Sequence, residues 1–142
     1  PDKAMSPEKA ARRLSKVLGR DYLKYAMAAL YEEGHKVIEV TIPLTPMDTG
    51  NLRNSAFVEW WPAPFTVQVG FGGFAAVYAL AVHEMGTDGQ KIAWSEPGTG
   101  NKYLERGAAM AMRGMPRRIA DNMTRYAKSQ QRNPRKRKPK TK

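Results

Sequence analysis

The chain has no cysteine among its 142 residues and only two histidines. Disulfide staples and thiolate metal sites are thereby excluded, and imidazole chemistry has little to draw on. Missing too is any apolar run near the roughly 18–20 residues that span a bilayer. The opening "PDKAMSPEKAARR" holds no signal-type apolar region. The sequence therefore reads as soluble and cytosolic at synthesis, and a start at Pro1 fits removal of an initiator methionine.

Acidic residues are absent from one whole stretch. Residues 129–142, "SQQRNPRKRKPKTK", carry seven of the +11 net charges and leave the remainder at only +4. The length suits one domain with a real core, so the expected organisation is a single domain over 1–128 followed by a basic tail over 129–142. In that tail Arg132, Arg135, Lys136, Arg137, Lys138, Lys140 and Lys142 have no aromatic neighbours, and Pro134 and Pro139 favour extension. Such a segment neutralises phosphates without reading sequence, docks in an acidic groove of a partner protein, or simply solubilises the chain.

What is there reads as α+β. Ser6-Pro7-Glu8 is a helix start. Leu14, Val17, Leu18, Leu23, Met27, Leu30, Tyr31, Val37 and Ile38 then recur at helical steps until Pro43 and Pro46. A straight helix of that length would measure about 50 Å, against a radius of gyration of about 14–15 Å for such a domain. Either it breaks, at Gly19 or Gly34, or it projects and packs on a neighbouring subunit. "LRNSAFVEWW" (52–61), the turn "WPAP" (61–64) and "FTVQVGF" (65–71) predict an antiparallel hairpin, with Phe65, Val67, Val69 and Phe71 on one side. Trp60 and Trp61 alternate in direction on a strand, so one enters the core while the other meets a second layer or another subunit. "FAAVYALAVHEM" (74–85) predicts a helix ending at Gly86, and "KIAWSE" (91–96) a short strand. Lys102–Lys128 predicts a closing helix kinked at Pro116, with Leu104, Ala108, Ala111, Met112, Met115, Ile119, Met123 and Tyr126 as one apolar stripe. The expected fold thus has a long N-terminal helix, a small antiparallel sheet, a short middle helix and a long C-terminal helix.

Candidate chemistry is sparse. Asp48-Thr49-Gly50 copies the triplet of retroviral-type aspartic proteases, but those enzymes pair two carboxylates, and the chain has no second copy. The same residues make a turn, with Gly50 supplying permissive dihedrals between helix exit and strand. "HEMGT" (83–87) has threonine where a His-Glu-x-x-His zinc site needs its second histidine. His35 sits among charged neighbours, and neither "VGFGGF" nor "PGTGNK" has the spacing of a phosphate-binding loop. The expectation is a protein without enzymatic activity, metal or cofactor.

In order along the chain, "PLTPMDTGNLRNSAFVE", "YALAVHEMGT" and "KYLERGAAMAM" resemble the tail-completion, or head–tail connector, family of tailed bacteriophages, a group that includes minor capsid and tail-component proteins. The resemblance covers about residues 40–112. It rests on Pro46, Asp48, Thr49, Gly50, Leu52, Arg53 and Ser55, then Tyr78, Ala79, Glu84, Gly86 and Thr87, then Tyr103 and Leu104. The chain departs from the pattern in "TDGQKIAWSEPGTGN" and in its basic tail. The resemblance implies a virion subunit at the neck, assembled in the host cytoplasm. It would form a ring of identical copies between portal, adaptor or head-closure proteins and the tail tube or terminator, with packaged DNA within reach of the tail. It transfers no catalytic residue. Arg53 would pair with Glu84 or Glu59, and Trp60 and Trp61 would serve subunit contacts. A basic nucleic-acid-binding accessory protein, or a capsid-associated minor protein, is the alternative.

Overall fold

A computed structural model describes residues 19–48, 50–61 and 65–131, together with Lys9, Arg12, Arg13, Ser15 and Lys16. The helix start at Ser6, the turn at 62–64, Thr49 and the tail beyond Gln131 lie outside the described residues. The fold is α+β: helix α1 (Tyr22–Thr41), the single turn α2 (Asn51–Asn54), strands β1 (Ala56–Trp60) and β2 (Val67–Phe71), then α3 (Ala79–Glu84), α4 (Tyr103–Met112) and α5 (Met115–Gln131). Contacts group the chain into two compact units, one of residues 30–115 and one of 1–29 with 116–142.

Of the two expectations for the first helix, the break is realised, and at only one of the two glycines. Gly19 has φ +72°, a left-handed conformation that opens a short 3₁₀ turn, Gly19–Asp21, ahead of α1. Gly34 stays helical. A Cβ there would sit 2.7 Å from Val58 Cγ1 and 3.0 Å from Val67 Cγ1, so its bareness lets α1 lie close on the hairpin. The buried positions of α1 are Tyr25, Ala29, Glu33, Gly34, Val37 and Thr41, while Leu23 of the anticipated stripe is exposed. The packed face follows four-residue steps from Tyr25 through Ala29, Glu33 and Val37 to Thr41, and of the anticipated aliphatics only Val37 is fully part of it.

The hairpin is antiparallel, with Ala56 opposite Phe71, Val58 opposite Val69 and Trp60 opposite Val67. Leu52–Asn54 is helical rather than the start of the strand, and Phe65, with φ +54°, lies before β2 instead of in it. Val58, Val67 and Val69 meet α1 at Gly34, and on the other face Phe57 lies over Gly70. A second cluster joins Leu52, Ala76, Ala79 and Tyr103, with Leu44, Phe71, Val82 and Leu104 around it.

Three further expectations change. Residues 91–96 form no strand; they run as an unpaired segment into a bend at Ser95–Glu96. The predicted middle helix is a 3₁₀ turn, Phe74–Ala76, followed by the short α3. The closing helix is two helices. The break falls at Gly114, φ +72°, and Pro116 sits harmlessly in the first turn of α5, where a missing N–H costs nothing. Met112 is accordingly exposed, outside the stripe assigned to it. In the unit of the chain ends, Tyr25 and Ala29 pack with Met123 and Ala127, flanked by Tyr22, Ala26, Ile119 and Tyr126.

Candidate functional site

The helix exit is shaped by two threonines. Thr41 Oγ1 donates to the Val37 carbonyl at 2.7 Å, and Thr45 Oγ1 donates to the Thr41 carbonyl at 2.9 Å. Both side chains are fully buried. Each bonds the carbonyl one turn back, and the Thr41 carbonyl also accepts Thr45 N at 3.1 Å. Thr41 also lies against α4, where a Cβ at Gly107 would come 1.9 Å from its Oγ1. Asp48 is exposed on the bend, and Gly50 adopts φ +84°, the left-handed turn conformation anticipated for it.

From α2, Leu52 enters the core while Arg53 reaches back over the turn. Its Nε donates to the Thr45 carbonyl at 2.9 Å, its Nη1 reaches Met47 Sδ at 3.5 Å, and its Nη2 makes an ion pair with Glu96 Oε2. The anticipated partners were Glu84 and Glu59; the partner found lies 43 residues away, in the segment where the chain departs from the family pattern. That segment is laced to the turn elsewhere as well. Ser95 Oγ donates to the Met47 carbonyl at 2.6 Å, and Gly100 N to the Leu44 carbonyl at 3.1 Å. Ser55 closes the other side, its hydroxyl accepting from Gly72 N at 3.1 Å and donating to the Leu52 carbonyl at 2.6 Å.

The second and third motif segments meet at Tyr103. This ring is 2% exposed. Its hydroxyl donates to the Ala79 carbonyl at 2.9 Å, and Phe71 and His83 stand edge-on to it at 5.2 and 5.0 Å. Burial, with the nearby Tyr78 hydroxyl adding to it, pushes its pKa up to about 12. Glu84 binds Lys102 Nζ at 2.8 Å and His83 Nδ1 at 2.7 Å. The Lys102 bond first, then His83, holds its carboxyl below the usual range, and the Lys102 ammonium is raised in return. Gly86, φ +77°, ends α3 as expected, and Thr87 caps it through the Glu84 carbonyl at 2.8 Å. Leu104 flanks the core cluster.

Pro46, Asp48, Leu52 and Tyr78 come together with Ile92 and Trp94 along an open groove of about 310 Å³. Its walls are mainly apolar, and the residues of the ordered motif segments around it act as turn, cap and packing elements. No group of three or more His, Asp or Glu able to hold a metal occurs among the described residues. Sequence reasoning missed Glu96, Ser95, Thr41 and Gly107, none of which carries a local signal for its distant partner.

Two apolar surfaces remain. After β2, Phe74, Val77 and Leu80 are 106%, 81% and 74% exposed. At the hairpin's other end, Trp60, Trp61 and Phe65 are each about half exposed. Trp60 faces α1, stacking on Tyr31 at 5.1 Å without being covered by it. Neither tryptophan enters the core. The register sets the two surfaces beyond opposite ends of a ladder about 13 Å long at 3.3 Å per residue. Comparison with protein-family models, with curated proteins and with solved structures gives no match for this chain.

Proposed function

We propose that this chain is a structural virion protein of a tailed phage. It is a neck or tail-completion subunit that works as a ring of identical copies between the head's portal, adaptor or head-closure proteins and the tail tube or terminator. One observation carries the reading: two separate apolar surfaces on residues 30–115, at opposite ends of one hairpin. Largely exposed, Phe74, Val77 and Leu80 amount to about 400 Å², and half-exposed Trp60, Trp61 and Phe65 to about 300 Å². One side of a standard interface buries about 800 Å², a little over half of it non-polar. Each surface therefore supplies roughly the apolar share of one interface side. Two different complementary patches on one chain generate a closed ring, whereas a single self-complementary patch gives a dimer. The ordered motif segments add to this, since they pack on one another through Leu52, Ala79 and Tyr103.

Complementation tests it. Phe74→Asp and Trp61→Asp each lose one surface, so each alone should run as a monomer in light scattering with unchanged far-UV CD. Mixed in equal amounts they should form a one-to-one dimer through the two intact surfaces and go no further. A wild-type chain that stays monomeric at micromolar concentration sinks the reading. A Trp61→Asp chain that assembles as wild type does so too.

A further inference from the structure

Charge in this molecule follows the division into units. The stretches 1–29 and 116–142 hold eighteen Lys or Arg against four acids, a net +14. Residues 30–115 hold six against nine, a net −3. The tail at 129–142 accounts for only half of the +14. Part of the rest is ordered on one face. Lys9, Arg12, Arg13 and Lys16 are helical and exposed, and with Ser15 they line a single surface groove of about 590 Å³. Their spacing (i, i+3, i+4, i+7) is that of one helix face. Ser15 does not face a ligand through its hydroxyl hydrogen, which goes to the Arg12 carbonyl at 3.0 Å.

We infer that this N-terminal stripe is a second polyanion site, separate from the tail, which binds the phosphate backbone of double-stranded DNA without reading its sequence. The four cations are spread over about 10 Å of helix axis. One DNA strand advances about 3.4 Å per phosphate, so the stripe spans about three phosphate steps, enough for one cation on each of about four consecutive phosphates. An acidic protein surface rarely presents charge at that density, and residues 30–115 of a second copy would offer a net charge of only −3. An anionic membrane is the weaker fit, because interfacial helices bury a broad apolar face. Between Lys9 and Lys16 the only apolar residues are Ala10, Ala11 and Leu14. No aromatic lies between Lys9 and Lys16 to stack on an unpaired base, so duplex and not single strands is the ligand. The site stands independently of the ring reading.

The test is the salt dependence of binding to a labelled mixed-sequence 25-base-pair duplex, measured on the full chain between about 50 and 200 mM salt. Each phosphate contact adds about 0.9 to the slope of log affinity against log salt. The variant Lys9→Gln/Arg12→Gln/Arg13→Gln/Lys16→Gln should flatten the slope by about 3.6. Arg12→Lys/Arg13→Lys should leave the slope in place, which separates charge from fold. If the quadruple variant fails to fold by far-UV CD, Arg12→Gln/Lys16→Gln should still flatten the slope by about 1.8. Neutralising the tail's seven cations should remove a further, additive share. The inference is overturned if the stripe variants keep the wild-type slope while tail neutralisation abolishes binding. It is overturned equally if the chain binds phosphatidylserine vesicles and the duplex not at all.

Discussion

Residues 30–115 and the two chain ends each include part of α1 but put their polar groups to opposite uses. In 30–115 they face one another: Arg53 takes Glu96 and the Thr45 carbonyl, Thr41 takes Val37, Tyr103 takes Ala79, and Glu84 takes Lys102. What this unit leaves exposed in quantity is hydrocarbon, at Phe74, Val77 and Leu80 and at the hairpin tip. At the chain ends a small cluster of Tyr25, Ala29, Met123 and Ala127 belongs to stretches that hold eighteen Lys or Arg against four acids. A surface whose polar groups are already paired selects apolar partners, and one with surplus cations selects polyanions. On the function proposed above, assembly would fall to one unit and electrostatic binding to the other. That division can be broken experimentally, because all three tryptophans (Trp60, Trp61, Trp94) lie in residues 30–115. Tryptophan fluorescence reports that unit alone, whereas far-UV CD weights the helices of both.

The largest effect is expected at the helix contact that tolerates least. A Cβ at Gly107 would stand 1.9 Å from Thr41 Oγ1 and 2.9 Å from Thr41 Cα. The second atom is backbone, so a change of rotamer cannot relieve the clash. Gly107→Ala should cost about 2–3 kcal/mol net, since overpacking exceeds the roughly 1 kcal/mol that alanine gains in a helix. That corresponds to a fall of roughly 10 °C or more in the fluorescence-monitored midpoint. Pairing it with Thr41→Ala should recover part of the loss, a coupling that a double-mutant cycle reads directly. Were fluorescence and CD to shift together in every variant, the two units would unfold as one and the distinction between them would fail.

Arg53 comes next. Arg53→Gln should cost about 2 kcal/mol, because it leaves a part-buried Glu96 carboxylate and the Thr45 carbonyl without a charged donor. Arg53→Lys should recover less than half, since one ammonium cannot reproduce a guanidinium that serves a carbonyl through Nε and a carboxylate through Nη2. The readout is the urea midpoint by fluorescence. A loss below about 0.5 kcal/mol would show the pair to be a surface ornament.

How much of this was legible beforehand depended on whether a feature is local. The helix stop at Pro43, the hairpin, the left-handed Gly50 and the end of α3 at Gly86 follow from residues within a few positions of the event. The Arg53–Glu96 pair does not, because nothing within 40 residues of either side chain names the other. Glycine shows the same divide. Gly19 opens a 3₁₀ turn and Gly114 separates two helices through their own dihedrals, whereas Gly34 and Gly107 are bare because something else lies against them. Sequence periodicity cannot separate those two uses. "KIAWSE" has the composition of a strand, but a strand forms only against a neighbour, and here its residues lace to the turn at Met47.

The smallest effect should come from Tyr103 and tests whether the internal pairing of residues 30–115 sets their alkaline limit. Its pKa is raised to about 12, so the folded state holds the phenolic proton more tightly than an unfolded chain, where the value is about 10. Stability from this group is therefore complete below about pH 10 and is lost as pH rises towards 12. Tyr103→Phe removes the hydrogen bond to the Ala79 carbonyl and should cost about 1 kcal/mol at neutral pH. In exchange it should flatten the decline between pH 10 and 12, since the unfolded chain then has no phenol at 103 to ionise. If fluorescence-monitored urea midpoints fall as steeply over that range in Tyr103→Phe as in the wild type, another group sets the alkaline limit of residues 30–115.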